Sequence, residues 1–194
     1  MKHEHLFKLG GPEQDGTENI VRWRYGQVYQ WEELGDVLRL RIAADERQAD
    51  LLIALMEAME EPLFVLYILH TPVAEHAEGR YQSPAATREE VGVFLGLHEP
   101  FIERDGRHDL WIAHPYENRP AQQLVLENSN LLYAYGPLDR FEEILRARGF
   151  SEGEIVPPRP HTHYYHHELN GMGDEAMHYW PWIHTPLEPA DGKQ

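Results

Sequence analysis

Apolar and polar residues alternate along residues 37–43, with Leu38, Leu40 and Ile42 set against Arg39 and Arg41, and this period of two predicts a strand with one buried face. Asp45 follows, and the Asp45-x-x-Gln48 spacing predicts a variant capping box at the start of a helix. Ala49, Leu52, Leu55, Met56 and Met59 then recur at helical spacing, Leu51 and Ile53 widen the stripe, and Glu46, Asp50, Glu57 and Glu61 fall opposite. Pro62 stops the helix, and residues 63–69, LFVLYIL, are apolar without alternation, as a strand covered on both faces would be.

The rest of the chain is read around this strand–helix–strand frame. Residues 20–31 are β-branched and aromatic, with Gly26 near the middle, and predict a bent strand or hairpin leading into the main sheet. Residues 71–86 hold two prolines and no periodicity, and predict a long loop, a lid or a disordered insertion. Thr87-x-x-Glu90 is a capping box that opens a short helix through Val91, Phe94 and Leu95, ending before Pro100. Asp105-Gly106 reads as a turn between the extended residues 101–104 and a strand over 109–114. Residues 123–127 and 130–135 flank the polar pair Asn128-Ser129 as a hairpin. Gly136-Pro137 starts a second main helix, with Leu138, Phe141, Ile144 and Leu145 as its stripe and Gly149 as its cap. Residues 161–168 read as a strand, and those beyond as irregular.

This order predicts an α+β fold: an antiparallel sheet with two main helices on one face, in a ferredoxin-like split βαβ arrangement, with an extra hairpin and a short helical insertion. Residues 1–19 are expected to form a flexible arm, 20–187 a single domain and 188–194 a flexible tail. In the simplest such sheet, 63–69 would lie at an edge despite its apolar character. Either the extra hairpin or a second copy of the chain, in a homodimer, is therefore expected to cover it.

Composition narrows the function. With 194 residues and 42% hydrophobic content, the chain supports one sizeable core. No apolar run approaches the ~20 residues of a membrane span, and residues 1–11 lack the apolar core of a secretory signal, so a soluble cytoplasmic protein is expected. The 33 acidic residues outweigh 17 basic ones to give −16, a charge that repels nucleic acid and anionic membranes. The expected partner is a protein or a small molecule. Without cysteine, any metal must be held by His, Asp or Glu.

Thirteen histidines supply the chemical hint, and they are densest at residues 160–168, PHTHYYHHE. On a strand, His161 and His163 point the same way with Cβ atoms roughly 7 Å apart, close enough for both rings to turn onto one ion. His167 would be too far to join them, so a further ligand is expected from elsewhere, with His178, His184, His114 and Asp109 available. Over eight residues, His161-x-His163-x-x-x-x-Glu168 resembles the first metal-binding motif of cupins, which implies Glu168 as a ligand. Ile155 and Glu175 stand where that motif carries glycines, no second motif follows, and the family is not assigned. The expected ligand set is His161, His163, Glu168 and His178, for a divalent transition metal such as Zn, Fe or Mn.

The serines lie in no nucleophile elbow, and no glycine-rich phosphate loop is present. The pairs Glu60-Glu61, Glu89-Glu90 and Glu142-Glu143 are explained by helix ends and solvation. Two functions remain: a binding module that uses the sheet face or the long loop, and a metal-dependent hydrolase or oxygenase built on the His-x-His pair.

Overall fold

The structure is a computed structural model that describes residues 3, 5–13, 19–115, 122–189 and 191. Residues 1, 2, 4 and 14–18 of the expected arm, and 190 and 192–194 of the expected tail, lie outside the described residues.

In the remainder of the arm, Leu6, Lys8 and Leu9 are buried and β1 (Leu9–Pro12) is formed, so this part is folded onto the domain. β2 (Ile20–Arg22) precedes β3 (Val28–Leu34), which turns at Gly35-Asp36 into β4 (Val37–Ala43). The alternation predicted for β4 is present: Leu40 and Ile42 are fully buried, and only Leu38, near the strand's start, is exposed. Helix α1 (Gln48–Met56) and β5 (Phe64–Leu69) complete the predicted frame.

The start of α1 differs from the predicted capping box. The Asp45 carboxylate accepts from the backbone amides of Tyr25 and Gly26 at 2.6 and 3.1 Å, and Gln48 Nε2 donates to the Ala44 carbonyl at 2.8 Å. The amides of Arg47 and Ala49 instead donate to Glu103, at 3.2 and 3.0 Å. A carboxylate from 54 residues away does the capping, because tertiary packing brings it to amides that the local side chain has left free.

Within the predicted loop, β6 (Gly79–Gln82) forms and pairs with β5. α2 (Arg88–Leu97) opens on the predicted Thr87–Glu90 capping box. Residues 101–104, predicted as extended, belong to α3 (Glu99–Arg104), which takes Pro100 in its first turn, where a missing N–H costs nothing. β7 (His108–His114), β8 (Gln122–Leu126) and β9 (Leu131–Tyr135) form a meander that turns where Asn128-Ser129 predicts. α4 (Leu138–Ala147) buries Phe141 and Leu145 and ends at Gly149, whose φ of 86° suits a glycine cap. β10 (Ser151–Glu152) follows. The predicted 161–168 strand survives only as β11 (Thr162–His163), and the segment read as irregular carries α5 (Asn170–His178) and β12 (Ile183–Thr185).

Nine strands form one sheet in the order β10-β3-β4-β9-β8-β7-β5-β6-β12, antiparallel throughout except for β10 against β3. Following the ladders, β4 and β5 run parallel with β9, β8 and β7 between them, so three strands split this βαβ crossover where a ferredoxin-like unit has one. The meander has inserted as a block into the middle of the sheet. The fold is mixed α/β around a large, mostly antiparallel sheet. The apolar strand β5 has β7 on one side and β6, then β12, on the other, so its edges are paired within the chain and a second copy is not needed to cover it.

Leu40, Ile42, Ile112, Leu124 and Val65 of the sheet share the main hydrophobic core with buried residues of α1, α2 and α4. α1 touches α2, α3 and α4. The second sheet, β11-β1-β2, brings the N-terminal segment beside residues 162–164. Among the described residues, no helix is long and apolar enough to cross a membrane.

Candidate metal centre

The β5–β6 connection and α5 meet at a trio of potential ligands. Residues 73–76 form a tight turn closed by the Val73 amide on the His76 carbonyl at 3.2 Å and the His76 amide on the Val73 carbonyl at 2.9 Å. That turn presents the His76 ring. Asp174 and His178, four apart on α5, share one face of the helix. Gly173 lets the helix come close: a Cβ there would lie 2.8 Å from both Phe101 Cζ and Val73 Cγ2.

One donor atom from each of His76, Asp174 and His178 lies within 4.8 Å of the other two. His76 Nε2 is 3.0 Å from Asp174 Oδ1, and His178 Nδ1 is 3.6 Å from the same oxygen. His178 Nδ1 also donates to the Asp174 carbonyl at 2.9 Å, which leaves the Nε2 lone pair free. Donors around a zinc ion stand about 3.3 Å apart at ordinary bond lengths, so the side chains need to close by up to about 1.5 Å. The His178 side chain is 69% exposed and Asp174 43%, so both are free to do so, while His76 at 17% is the fixed member.

Arg107 holds both sides of this site. Its guanidinium pairs with Asp105 through two bonds of 2.7 and 2.9 Å, in a pair almost wholly removed from water. The same group donates to the Pro72 carbonyl at 3.4 Å, at the root of the His76 turn, and to Asn170 Oδ1 at 3.1 Å, at the first residue of α5. Asp105 also accepts from the His166 amide at 3.0 Å.

This pair belongs to a dry polar seam along the start of β7. The Lys8 ammonium, fully buried, donates to the Ile102 carbonyl at 3.2 Å; burial outweighs the attraction of Asp109, Glu103 and Asp105 and pushes its pKa down to about 8. His108, between the rings of Tyr67 and Phe101, is held well below the ordinary imidazole range by burial and by the charges of Lys8 and Arg107. Asp109 accepts from the Asn128 amide at 2.7 Å and lies 2.9 Å from His70 Nε2. Burial alone would lower His70, but Asp109 outweighs it and the pKa rises.

The expected ligands divide. His178 belongs to the trio. His161 and His163 stand together with ring centres 5.3 Å apart, His161 exposed and His163 half-buried in β11. Glu168 is exposed in a 3-10 turn over His167–Leu169, because the chain leaves the strand after His163. Among the described residues, no third donor joins the His161–His163 pair in a ligand cluster. Asp109 is taken up by the seam, His114 Nδ1 lies 3.0 Å from the Pro62 carbonyl, and His184 packs on Tyr81. His76 has no signal in the sequence, whereas the four-residue spacing of Asp174 and His178 would be one had α5 been legible.

No protein-family model, curated protein or solved structure matches the chain, so its function is read from its own geometry.

Proposed function

We propose that the protein binds a divalent transition-metal ion through His76, Asp174 and His178 and acts as a metal-dependent enzyme, a hydrolase or an oxygenase. The observation that carries this reading is the convergence of two imidazoles and one carboxylate within 4.8 Å of one another, at a place open to water. Two histidines and a carboxylate with positions left over suit zinc hydrolysis and non-haem iron chemistry alike. When bound, the ion would supply a Lewis acid or an activated water. The chain's part is to present the two imidazoles and the carboxylate together, with Arg107 fixing the turn against the helix.

Elemental analysis of protein purified without an affinity tag, followed by titration with Zn, Mn and Fe(II), tests the proposal. About one equivalent of metal, lost in Asp174→Ala and His178→Ala, is expected. Less than about a tenth of an equivalent, unchanged by added metal, sinks it. Turnover by the loaded protein in ester, phosphoester and oxygenation screens then distinguishes catalysis from binding alone.

A second reading, a non-catalytic binding module, is favoured by a hollow of about 330 Å³ on the sheet face away from the helices. Phe64, Leu66, Trp111 and Ala113 line it, together with Gln82 and Gln122. The buried Trp111 indole N–H has no hydrogen-bond partner among the described residues, which suits a small apolar ligand carrying one acceptor. Quenching of Trp111 fluorescence by such ligands, lost in Leu66→Glu, tests it.

A further inference from the structure

The chain's basic side chains are unevenly placed. With only 17 Lys and Arg against 33 acidic residues, five arginines nevertheless line two adjoining cavities of about 480 and 370 Å³ around the start of α1. Arg24 and Arg47 border both cavities; Arg148 borders the larger, and Arg22 and Arg104 the smaller.

Most of the nearby acidic charge is already engaged. Asp45 accepts from the amides of Tyr25 and Gly26, Glu103 accepts from those of Arg47 and Ala49, and Glu46 is shared between Arg22 and Arg24 at 3.3 and 3.4 Å. Arg47 pairs with Asp50. Arg104 and Arg148 have no ion pair among the described residues. Burial first, then the neighbouring charge of Arg24, pulls Arg22 below its usual range, and Glu46 and Asp45 offset only part of that.

The larger cavity adds apolar surface. Leu51 and Phe150, both nearly buried, form part of its wall beside Arg24, Arg47 and Arg148. From this juxtaposition we infer that the larger cavity binds a small organic phosphate, its phosphate held by Arg24 and Arg148 and its apolar part against Phe150 and Leu51. Arginine forks suit phosphate oxygens, and a pocket walled on one side by apolar surface distinguishes an ester from the free ion. The protein's overall charge repels such a ligand at long range, so affinity comes from local contacts and not from steering. This site shares no residue with the metal trio and does not depend on it.

The test is a heteronuclear NMR titration of the full chain, in EDTA so that no metal contributes. The probes are phenyl phosphate, inorganic phosphate and phenol. Phenyl phosphate is expected to saturate with shifts at Gly26, Glu46 and Gly149, and to bind at least about fivefold more tightly than inorganic phosphate and about tenfold more tightly than phenol. Arg148→Gln and Arg24→Gln, both exposed positions, should each weaken it about fivefold or more, while Arg140→Gln, the same charge change within α4 and away from the cavity, should leave it unaltered. Inorganic phosphate binding equally well overturns the apolar part of the assignment. Absence of saturable binding to about 10 mM, or equal affinity in Arg148→Gln and Arg24→Gln, overturns the site.

Discussion

The dry seam at the start of β7 and the wet trio between the β5–β6 turn and α5 use the same residue types to opposite ends. In the seam, the oxygens of Asp105 are taken by Arg107 and by a backbone amide, and those of Asp109 by an amide and His70. These carboxylates are committed to partners within the fold, and burial has moved the titrations of Lys8 and His108 far from their ordinary range. In the trio, one carboxylate oxygen faces two imidazoles at 3.0 and 3.6 Å, exposed enough to exchange a hydrogen bond for a metal bond. Capacity to bind follows from donors not yet committed, and density of polar groups is a poor guide to it. The two regions are also joined, because Arg107 reaches from the seam to Pro72 and Asn170 on either side of the trio.

The largest effect is expected from breaking the seam. Asp105→Asn leaves the buried Arg107 cation without its counter-charge and should cost about 3–5 kcal/mol in urea unfolding. It should also weaken metal binding, since Arg107 would no longer be held toward both sides of the trio. Asp174→Ala in the metal-free protein should change stability by less than about 0.5 kcal/mol, as an exposed position would. Comparable losses from the two variants would erase the distinction between the regions.

Metal itself gives the next effect. At a hundred times its dissociation constant, zinc should add about 2.7 kcal/mol, which raises the melting temperature of a chain this size by about 5–10 °C. Asp174→Ala should abolish the rise. A metal on His76 Nε2 must break that ring's hydrogen bond to Asp174, and protons compete with the ion for both groups, so calorimetry should report an affinity that climbs with pH.

Lys8 offers a third test, confined to the seam. A buried amine held at about 8 against 10.5 in the unfolded chain loses stability wherever it must be charged, so stability should rise with pH between those two values. From pH 7.5 to 9.5 the expected gain is about 2 kcal/mol by linkage. Lys8→Met should flatten that rise, and an unaltered slope in the variant would place its origin elsewhere.

These contrasts bear on what was legible in the chain. Local signals were reliable where the responsible atoms are neighbours in sequence: the Leu40–Ile42 alternation, the Thr87–Glu90 box, the Asn128-Ser129 turn and the Gly149 cap. They failed where a distant group takes over. Asp45 serves Tyr25 and Gly26, and Glu103 caps α1 in its place. β6 is a strand because β5 offers an edge and β12 because β6 does, and neither has a pattern of its own. α5 was hidden by Gly171 and Gly173, each costing about 1 kcal/mol of helix propensity relative to alanine. Burial of Ala176 and Met177 and the bond from Trp182 Nε1 to the Ala176 carbonyl outweigh that cost. The trio is therefore a product of tertiary structure, with His76 and Asp174 lying 98 residues apart.

The smallest effect concerns the histidines that the sequence makes most conspicuous. His161 is exposed, so His161→Ala should leave zinc affinity at the trio within about twofold of the parent; a tenfold loss would return the ion to the His-x-His pair. The same variant should act weakly on stability through His163. Burial, and then the neighbouring charges of His161 and Lys8, hold the His163 pKa below its ordinary value. A histidine lowered in the folded state contributes stability that is present above the unfolded value of about 6.5 and is lost as pH falls through the folded one. Removing His161 lifts part of that depression, so the variant should lose less stability than the parent between pH 7.5 and pH 5. His163 is half-exposed and screened, which keeps the difference below about 0.5 kcal/mol. Urea midpoints at the two pH values, with the His163 ring titrated by NMR, measure it, and a variant that loses more stability than the parent on acidification would reverse the assigned sign.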